Sequence, residues 1–416
     1  MKEGWSVLPL GDLCGIEIGG TPPRSQLRYW DERKSTNNVW LSIADLPKSL
    51  HARMSKSAEH LSDEGASRVR VVKARTLLVS FKLTLGRLAY ADIDLRTNEA
   101  IAALTVLNAR QLDQQYLYWF LTYFDWQQAA EADEKVKGKT LNKAKLRELP
   151  VIVPPLDEQQ RIVAILDEAF AGLATVTANA EKNLKNAREL FYSYLNSVLR
   201  APNDTWKRVS IRDVCDSIVD CPNRTAPSID DPSPFKMIRT TNVRDGRISL
   251  EEVKYVSENV YRRWTRRQIP QKGDVLLTRE APLGEVGMIL SDEKVFLGQR
   301  LVSYRADPEK LDNHFLLFAL QSRDLQKQIH AFGSGATVQH MRVPDSKALM
   351  LSVPPLSLQQ KVSADLKELS ELSERLRVTY EQKRKKLSQL RQSILKFAFA
   401  GQLTSPPSSA VKEAAE

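Results

Sequence analysis

Two similar stretches decide the fold, VPPLDEQQRIVAILDE at residues 153–168 and VPPLSLQQKVSADLKE at residues 353–368. Pro154 and Pro354 occupy matching places, 200 positions apart. A Pro-Pro-Leu sequence disfavours helix on its N-terminal side and gives a rigid entry to a helix that follows. Each stretch therefore predicts a loop that turns into a long helix, and the chain contains this entrance twice.

The repeat extends well beyond the helix entrance. WSVLPLGDLC at 5–14 returns as WKRVSIRDVC at 206–215, with an offset of 201. LLVSFKLTLGRLAY at 77–90 returns more faintly as VLLTREAPLGEVGM at 275–288. A nearly constant offset across three separate stretches predicts duplication of a unit of about half the chain.

Composition limits the class of protein. The chain has 416 residues, 42% hydrophobic and 27% charged, which is typical of a globular protein with two or three domains. Its three cysteines and five histidines are scattered, so neither a disulfide framework nor a metal site is expected. We expect no membrane span and no signal peptide, and hence a cytoplasmic protein. The net charge of +10 favours a polyanionic partner, either nucleic acid or an acidic protein surface.

Each copy of the repeat is predicted to begin with a domain of mixed α/β character. Short runs such as RTLLVSF at 75–81 have strand character, whereas LDQQYLYWFLTYF at 112–124 and LDNHFLLFALQS at 311–322 favour helix. The expected fold class is α+β. The predicted boundaries are 1–152 for the first domain, 153–203 for a central helical spacer, 204–352 for the second domain, 353–403 for a C-terminal helical spacer and 404–416 for a disordered tail.

Both long helices carry a coiled-coil pattern, because apolar or small residues recur every three or four positions. About 44 residues at ~1.5 Å each give a helix of about 66 Å. The positions are 162, 166, 169, 173, 176, 180, 184, 187, 191, 194 and 198 in the first helix, and 362, 366, 369, 372, 376, 380, 387, 390, 394 and 397 in the second.

Each apolar seam needs a surface that covers it, and the simplest such surface is the seam of the other helix. Asp157–Arg200 contains five basic and six acidic residues, whereas Ser357–Ala400 contains ten basic and five acidic residues. Each exposed ion pair stabilises the association by only about 0–1 kcal/mol, so the apolar seam must supply most of the free energy of helix pairing. We expect an antiparallel pair that places the two domains at opposite ends, related by a pseudo-two-fold axis. A parallel pair, and helices that dock only on their own domains, are the alternatives.

Known catalytic motifs are missing from the sequence. Gly138-Lys139-Thr140 lacks the earlier glycine of a phosphate-binding loop, since Asp133 stands there. Gly19-Gly20 leads into a proline pair rather than into a nucleotide-binding turn. The chain has no Gly-x-Ser-x-Gly elbow and no Asn-Pro-Pro-aromatic motif for amino methylation. We therefore expect that the chain is not an enzyme.

The repeated helix entrance, the long helices and GGTPPRSQLRYWDE at 19–32 resemble the specificity subunit of type I restriction-modification systems. The resemblance covers nearly the full chain, and its most specific part is the Pro-Pro-Leu-x-x-Gln-Gln entrance. DCPNRTAPS at 220–228 and PFKMIRTTNVRDGRI at 234–248 resemble a second class of that family's target recognition domains. One departure is Leu358, which stands where the first copy has Glu158, the family's expected acid.

The resemblance implies a division of labour. Two target recognition domains each read one half of a split, asymmetric site in double-stranded DNA, and the paired helices set the gap. The chain binds no cofactor and no small-molecule substrate. Two methyltransferase subunits supply S-adenosylmethionine chemistry, and a motor-nuclease subunit, where present, adds ATP-dependent cleavage in host defence. Because duplex DNA turns once per ~34–36 Å, helices of about 66 Å suit readers two turns apart.

Candidate DNA contacts are basic or amide side chains in segments that the sequence places in loops or at strand ends. Lysines beside backbone amides suit phosphates, and arginine is the usual bidentate reader of guanine. A solvated basic surface is the alternative for each. The candidates are Arg24, Arg28, Lys82, Lys137, Lys139, Lys143, Arg224, Arg239, Arg244, Arg279, Gln339 and Arg342.

Two other hypotheses compete with DNA reading. The first is an interaction scaffold whose coiled coil and basic surface organise acidic proteins, which predicts that no split motif is enriched from random duplexes. The second is an enzyme with an unrecognised site, which predicts methyl transfer by the chain alone in the presence of S-adenosylmethionine and DNA.

Overall fold

The computed structural model describes residues 2–130, 141–200, 206–222, 224–333 and 339–404, together with the backbone of 134–135 and 138–139. The predicted tail, 404–416, lies outside the described residues except for Thr404. The chain divides into two compact units. The first unit is Met1–Asn179 with Lys383–Glu416, and the second unit is Ala180–Gln382.

Short strands and helices precede one long helix in the first unit. The helices are α1 (Leu10–Leu13), α2 (Asp63–Ala66), α3 (Gln114–Tyr123), α4 (Trp126–Ala130), α5 (Lys143–Arg147) and α6 (Leu156–Arg200), the last of which continues into the second unit. The strands are β1 (Ser6–Pro9), β2 (Cys14–Ile18), β3 (Val39–Leu41), β4 (Arg53–Met54), β5 (Glu59–His60), β6 (Leu77–Ser80), β7 (Leu88–Ala91), β8 (Arg96–Thr97), β9 (Ile101–Val106), β10 (Glu134–Lys135), β11 (Gly138–Lys139) and β12 (Pro150–Val153).

The strands of the first unit form a main sheet in the order β2-β9-β6-β7-β4 and a smaller sheet in the order β5-β3-β8. Within the main sheet only β4 and β7 are parallel. The smaller sheet contains the parallel pair β3 and β8. Two further antiparallel pairs are β1 with β12 and β10 with β11. The core lies between the main sheet and α3, where Tyr116 and Trp119 are fully buried.

The second unit is built on the same plan. Its helices are α7 (Glu258–Trp264), α8 (Asn313–Gln321), α9 (Arg323–Phe332), α10 (Val343–Ser346) and α11 (Leu356–Phe399), the last of which continues into the first unit. Its strands are β13 (Lys207–Ser210), β14 (Cys215–Asp220), β15 (Lys236–Ile238), β16 (Val243–Arg244), β17 (Arg247–Ile248), β18 (Lys254–Tyr255), β19 (Val275–Arg279), β20 (Leu283–Met288), β21 (Val295–Leu297), β22 (Leu301–Ala306) and β23 (Met350–Val353).

Sheet topology shows that whole domains are repeated. The main sheet of the second unit, β14-β22-β19-β20, matches β2-β9-β6-β7, and β18-β15-β21 matches β5-β3-β8. The pair β13 and β23 matches β1 and β12. The hairpin β16–β17 follows β15 in the second unit. The α+β fold class with an internal repeat is confirmed.

A buried glutamine explains why the helix entrance recurs. The side chain of Gln159, in the first turn of α6, is completely buried. Its Nε2 donates to the carbonyls of Gln111 and Pro154, both at 2.8 Å, and its Oε1 accepts from the backbone N–H of Asp113 at 2.8 Å. Asp113 in turn caps α3 by accepting from the backbone N–H groups of Gln115 and Tyr116. One side chain therefore joins the start of α6 to the start of α3.

The second unit repeats this arrangement with Gln359, which is 1% exposed. Its Nε2 donates to the carbonyls of Lys310 at 3.0 Å and Pro354 at 2.9 Å, and its Oε1 accepts from the backbone N–H of Asp312 at 2.8 Å. The side chain of Asp312 caps α8 by accepting from the N–H of Phe315. Gln160, beside the buried glutamine of the first unit, is exposed.

Glu158 has a different neighbourhood from its counterpart Leu358. The carboxylate of Glu158 is buried and accepts hydrogen bonds from Lys2, from the indole of Trp5 at 2.9 Å, and from Thr404. Burial opposes ionisation of this group, but these hydrogen bonds and the charge of Lys2 outweigh it and lower the pKa of Glu158. In the second unit Leu358 packs on the hydrophobic core instead. The acid in the first copy thus binds both terminal segments of the chain to the start of α6.

Packing within each unit shows that the long helices are antiparallel. In the first unit, Ile162 and Leu166 near the start of α6 share a core with Leu395 and Phe399 near the end of α11. Arg391, two turns earlier in α11, lies over the ring of Phe170 at 5.3 Å. In the second unit, the last turns of α6 and the first turns of α11 share the other large core. The predicted antiparallel orientation is confirmed.

The predicted seam is wrong at several positions. Phe170 and Leu195 are buried although the heptad pattern omitted them, whereas Leu372 and Leu390 are each 48% exposed. Near the C-terminus of α11, Phe397 is 51% exposed and its neighbours Leu395, Ala398 and Phe399 are buried. The ends of each helix pack on a globular domain as well as on a helix, so the buried stripe there is wider than a two-helix seam. Away from the domains, one partner helix covers only a narrow stripe.

One window of 18 residues in α6 has a mean hydropathy of 1.4, so by length and composition this helix could cross a membrane. Core helices of folded proteins meet the same criterion, so this one window does not identify a membrane span and does not overturn the expectation of none. Small residues such as Ala171 and Ala174 raise the mean hydropathy without forming an apolar face, and both are exposed. The large side chains Leu166 and Phe170 pack into the core of the first unit.

Replacing the buried glutamine tests its role at the helix entrance. Gln159→Ala removes three hydrogen bonds to backbone groups, at about 0.5–1.5 kcal/mol each, so we expect a loss of about 2–4 kcal/mol in the free energy of unfolding. The measurement is urea denaturation of the full chain. Gln160→Ala removes an exposed amide one residue away and serves as the control. Equal stability of the two variants would contradict the assignment.

The packing of α11 on the first unit has its own test. Phe399 is 4% exposed and its ring lies 5.0 Å from Tyr123, 5.5 Å from Phe120 and 5.7 Å from Tyr116. We expect Phe399→Ala to lower the unfolding free energy by about 3–5 kcal/mol. Phe397→Ala, on the exposed side of the same turn, should change it by less than about 0.5 kcal/mol. A larger effect at Phe397 would refute this packing.

Candidate nucleic-acid interface

Three segments that are distant in sequence meet at one edge of the main sheet in the first unit. The backbone N–H of Gly20, after β2, donates to the carbonyl of Thr97 at 2.8 Å. The N–H of Phe81, after β6, donates to the carbonyl of Ala100 at 3.1 Å. We call the three segments, residues 19–24, 81–87 and 97–101, the first loop edge.

The second unit builds the same edge. The N–H of Cys221, after β14, donates to the carbonyl of Leu301 at 3.3 Å. The N–H of Arg279, at the end of β19, donates to the carbonyl of Arg300 at 2.8 Å. We call residues 221–222, 224–226, 279–285 and 297–301 the second loop edge. Strand order brings these loops together, because β2, β9 and β6 lie side by side just as β14, β22 and β19 do.

The turn in the middle of each loop edge has an unusual backbone. Leu83 has φ of 61° and Ala281 has φ of 51°, a left-handed conformation that is rare outside glycine. In the second unit the hydroxyl of Thr278 donates to the carbonyl of Pro282 at 2.6 Å and accepts from the N–H of Glu285 at 2.9 Å. Backbone strain of this kind concentrates at binding sites, where the surrounding structure maintains it. Its presence in both copies marks these turns as functional candidates.

Positive charge dominates the first loop edge. The guanidinium of Arg24 lies 4.1 Å from the ring centre of Trp30 and 5.0 Å from that of Trp40, and it pairs with Glu59. The ammonium of Lys82 lies 5.3 Å from the ring of Phe81. Two aromatic rings and a carboxylate therefore order Arg24 before any ligand binds.

Within the three segments of this edge one carboxylate, that of Glu99, stands beside the cations, while Glu59, which pairs with Arg24, lies outside them. Glu99 is exposed, and its carboxylate accepts a hydrogen bond from the hydroxyl of Thr21. Partial burial raises the pKa of Glu99, but the hydrogen bond from Thr21 and the charges of Lys82 and Arg24 lower it by more. Glu99 therefore remains ionised at neutral pH.

The second loop edge carries different chemistry in the same places. The carboxylate of Glu280 lies 3.2 Å from Arg300 and 3.4 Å from His340. Gln299 stands where the first edge has Glu99. In its better-satisfied orientation the amide oxygen of Gln299 accepts from the backbone N–H groups of Thr225 at 3.0 Å and Arg224 at 3.2 Å, and its nitrogen donates to the hydroxyl of Thr225 at 3.3 Å.

Several sequence-predicted residues converge on these edges. Arg24 and Lys82 lie on the first edge, and Arg224 and Arg279 lie on the second. Arg279 is only 8% exposed and donates from Nη1 to the carbonyl of Met341 at 3.0 Å, so it supports the edge from within. The amide oxygen of Gln339 accepts from Nδ1 of His330 at 3.2 Å, beside the strand-like contact of Glu280 with His340. Direct contact with nucleic acid stays a prediction for all of them.

The remaining candidates have other surroundings. Arg28 lies 4.9 Å from the ring of Tyr29 and 3.6 Å from Glu64. Arg342 pairs with Asp345 at 2.8 Å. The others are an exposed lysine in α5 (Lys143), two arginines that bind carbonyls of the 240–252 segment (Arg239, Arg244), and two lysines of the 131–140 segment, of which Lys137 lies outside the described residues and Lys139 is described by its backbone only.

Glu99, Gln299 and Arg300 are not among the contacts that the sequence predicted. The signal that could have found Glu99 and Gln299 is the repeat itself, because these two residues stand 200 positions apart, as Pro154 and Pro354 do. Within the part of the chain that the structure describes, no group of three His, Cys, Asp or Glu residues could hold a metal ion.

Comparison with known families gives one repeated match. The sequence profile of the type I restriction modification DNA specificity domain matches residues 2–186 and again residues 203–382. The two matches together span most of the chain, and each one contains one of the two loop edges.

Individual proteins agree with the family match. A Haemophilus influenzae protein assigned as a type I restriction enzyme specificity subunit is 25% identical over 307 residues, which are 70% of this chain and 75% of the relative. The MjaVIII specificity subunit of Methanocaldococcus jannaschii is 22% identical over 92% of this chain and 90% of its own length.

Solved structures share the fold. A chain from work on complex assembly and conformational transition of the type I R-M system superposes with a TM-score of 0.74 and 18% identity, over 97% of this chain and 99% of that one. The HsdS subunit from Thermoanaerobacter tengcongensis gives a TM-score of 0.54 and 19% identity, over 97% and 98%. Both likenesses concern the fold alone.

Removing one cation from the first loop edge tests phosphate contact. We expect Lys82→Ala to weaken binding to all duplexes alike and to reduce the slope of log K against log salt by about 0.9, because one fewer counterion is released. The control is Lys73→Ala, which removes a lysine that pairs with Asp94 before the start of β6, at the opposite end of that strand. Identical salt slopes for the two variants would exclude a phosphate contact at Lys82.

Proposed function

This chain belongs to the type I restriction modification DNA specificity family, and we propose that it reads a split, asymmetric DNA site and directs partner methyltransferase subunits to it. DNA sequence specificity is the role of this family. The single observation that carries the proposal is the double match, at 2–186 and 203–382, to two units that each carry their own loop edge. Two copies of one reading domain in one polypeptide suit two half-sites.

Asymmetry of the site follows from the difference between the edges. The first edge presents Arg24 and Lys82 around the carboxylate of Glu99. The second presents an ion pair of Glu280 with Arg300 and an amide at Gln299. Sequence is read by hydrogen bonds and apolar contacts to base edges. The two loop edges occupy matching places in the repeat but carry different donors and acceptors, so they should select different half-sites.

The long helices suit the role of a spacer between the half-sites. α6 has 45 residues and α11 has 44. At ~1.5 Å per residue each is about 66 Å long. Since duplex DNA completes a turn every ~34–36 Å, we propose a separation of about two turns between the centres of the half-sites.

Partner subunits would bind the exposed apolar residues of the helices. Leu372, Leu376, Leu390 and Phe397 are between 37% and 51% exposed. Exposed apolar side chains along a helix favour docking of another helix. We propose that two methyltransferase subunits, which would bring S-adenosylmethionine, bind here, and that a motor-nuclease subunit joins them where cleavage occurs.

In this assembly the chain itself performs no catalysis, and it acts in the cytoplasm, where the bacterial or archaeal genome lies.

Mapping methylated bases in the host genome tests the proposal. With the gene intact, we expect one motif made of two unlike specific halves separated by a non-specific gap. Deleting the gene should abolish methylation at that motif, and restoring it should return methylation to the same positions.

Two outcomes would contradict the proposal. An unchanged methylation map after deletion of the gene would refute the specificity role. Binding of random duplexes by the purified complex without any enriched motif would favour the scaffold hypothesis instead.

A further inference from the structure

We propose that Glu99 reads a base in the first half-site by accepting a hydrogen bond from an exocyclic amino group, N4 of cytosine or N6 of adenine. The inference rests on the proposed function, since it assumes that the first unit binds DNA. It goes further in naming a specificity-determining residue and the chemical group that the residue recognises.

The position of Glu99 suits contact with a base. It is exposed, in the segment between β8 and β9, where the first loop edge faces outward. The hydroxyl of Thr21 donates to its Oε2 and so fixes the orientation of the carboxylate. An ionised carboxylate offers about four acceptor sites, so one bond from Thr21 leaves capacity for a ligand. Thr21 therefore acts as a positioning residue for Glu99.

Charge separates the role of Glu99 from that of its neighbours. Lys82 and Arg24 attract phosphates, whereas a carboxylate beside DNA is repelled by every phosphate, whatever the base sequence. Glu99 therefore weakens binding to all duplexes. A hydrogen bond from a donor that faces Glu99 offsets this loss of binding free energy. In the major groove the available donors are the amino groups of cytosine and adenine. A carboxylate on a basic edge thus contributes discrimination, and the cations contribute affinity.

The second unit supports this assignment by contrast. At the matching position Gln299 is also held by a threonine hydroxyl, that of Thr225. Its amide oxygen is occupied by two backbone N–H groups, while its nitrogen retains a second N–H beyond the one directed at Thr225. The second edge therefore presents a donor where the first presents an acceptor. The same place in the repeat would read an amino group in one half-site and an acceptor such as guanine O6 or N7 in the other.

The test uses the full chain purified together with the subunits that accompany it, selected against random duplexes. We expect the wild type to enrich a split motif. Glu99→Ala should lose discrimination at one base pair of the first half-site by roughly tenfold to a hundredfold, with the second half-site unchanged. Glu99→Gln should weaken base discrimination at the same position, because the glutamine amide both donates and accepts hydrogen bonds. Asp12→Asn removes a carboxylate near the other end of β2 and should preserve the motif.

A second measurement separates reading from folding. Because Glu99 repels phosphates, we expect Glu99→Ala to bind non-specific duplex more tightly than the wild type, a gain that an unfolded variant cannot show. Thr21→Val should relax the same base position by a smaller factor. Placing all four base pairs at that position then distinguishes the two donors, since the wild type prefers either cytosine or adenine there.

Each outcome has a distinct meaning. If the wild type enriches a split motif and Glu99→Ala enriches the same motif at every position, the inference is wrong and the proposed function stands. A change confined to the second half-site, or a preference for thymine or guanine on the contacted strand, also overturns it. If the wild type enriches no motif, the proposed function itself fails.

Discussion

A buried glutamine at the entrance of each long helix holds the structure together. Gln159 and Gln359 each bind three backbone groups through one buried amide and so join the start of a long helix to the start of α3 or α8. A hydrogen bond between neutral groups adds only about 0.5–1.5 kcal/mol, but an unsatisfied buried backbone group costs about 1–3 kcal/mol. The amide therefore fixes the direction in which each helix leaves its domain. Everything that depends on that direction, including the antiparallel packing of helix ends, follows from it.

In both units, one set of contacts stabilises the fold and a different set of side chains is available for recognition. Strand order, the paired strands at the base of each domain and the glutamine contacts are the same in both units. The loop edges share backbone hydrogen bonds and a strained turn, at Leu83 and Ala281, yet their side chains differ in charge. A frame that is stabilised by buried backbone contacts allows exposed side chains to change without loss of the fold. This is the property that a protein with two unlike readers requires.

Local patterns predicted some parts of this molecule well and others poorly. The helix entrances and the buried helices α3 and α8 depend on neighbours within a few residues, so proline placement and runs of apolar residues predict them. The burial of Phe170 and Leu195, by contrast, depends on which domain each helix end contacts. A heptad pattern describes only the contact between two helices and contains no information about the domain surface on which a helix end packs. For the same reason it placed Phe397 in the seam and left out Phe399.

The candidate site divides in the same way. By itself the sequence determined the duplication, the long paired helices, the basic character of the chain and two of the cations on the first edge, Arg24 and Lys82. Only the tertiary structure decided that Thr21, Lys82 and Glu99 lie together, because the pairing of β2, β9 and β6 joins segments that are distant along the chain. Strand pairing is a long-range interaction, and composition gives no indication of it. A carboxylate in a basic chain therefore acquires a role only from the residues that the fold places beside it.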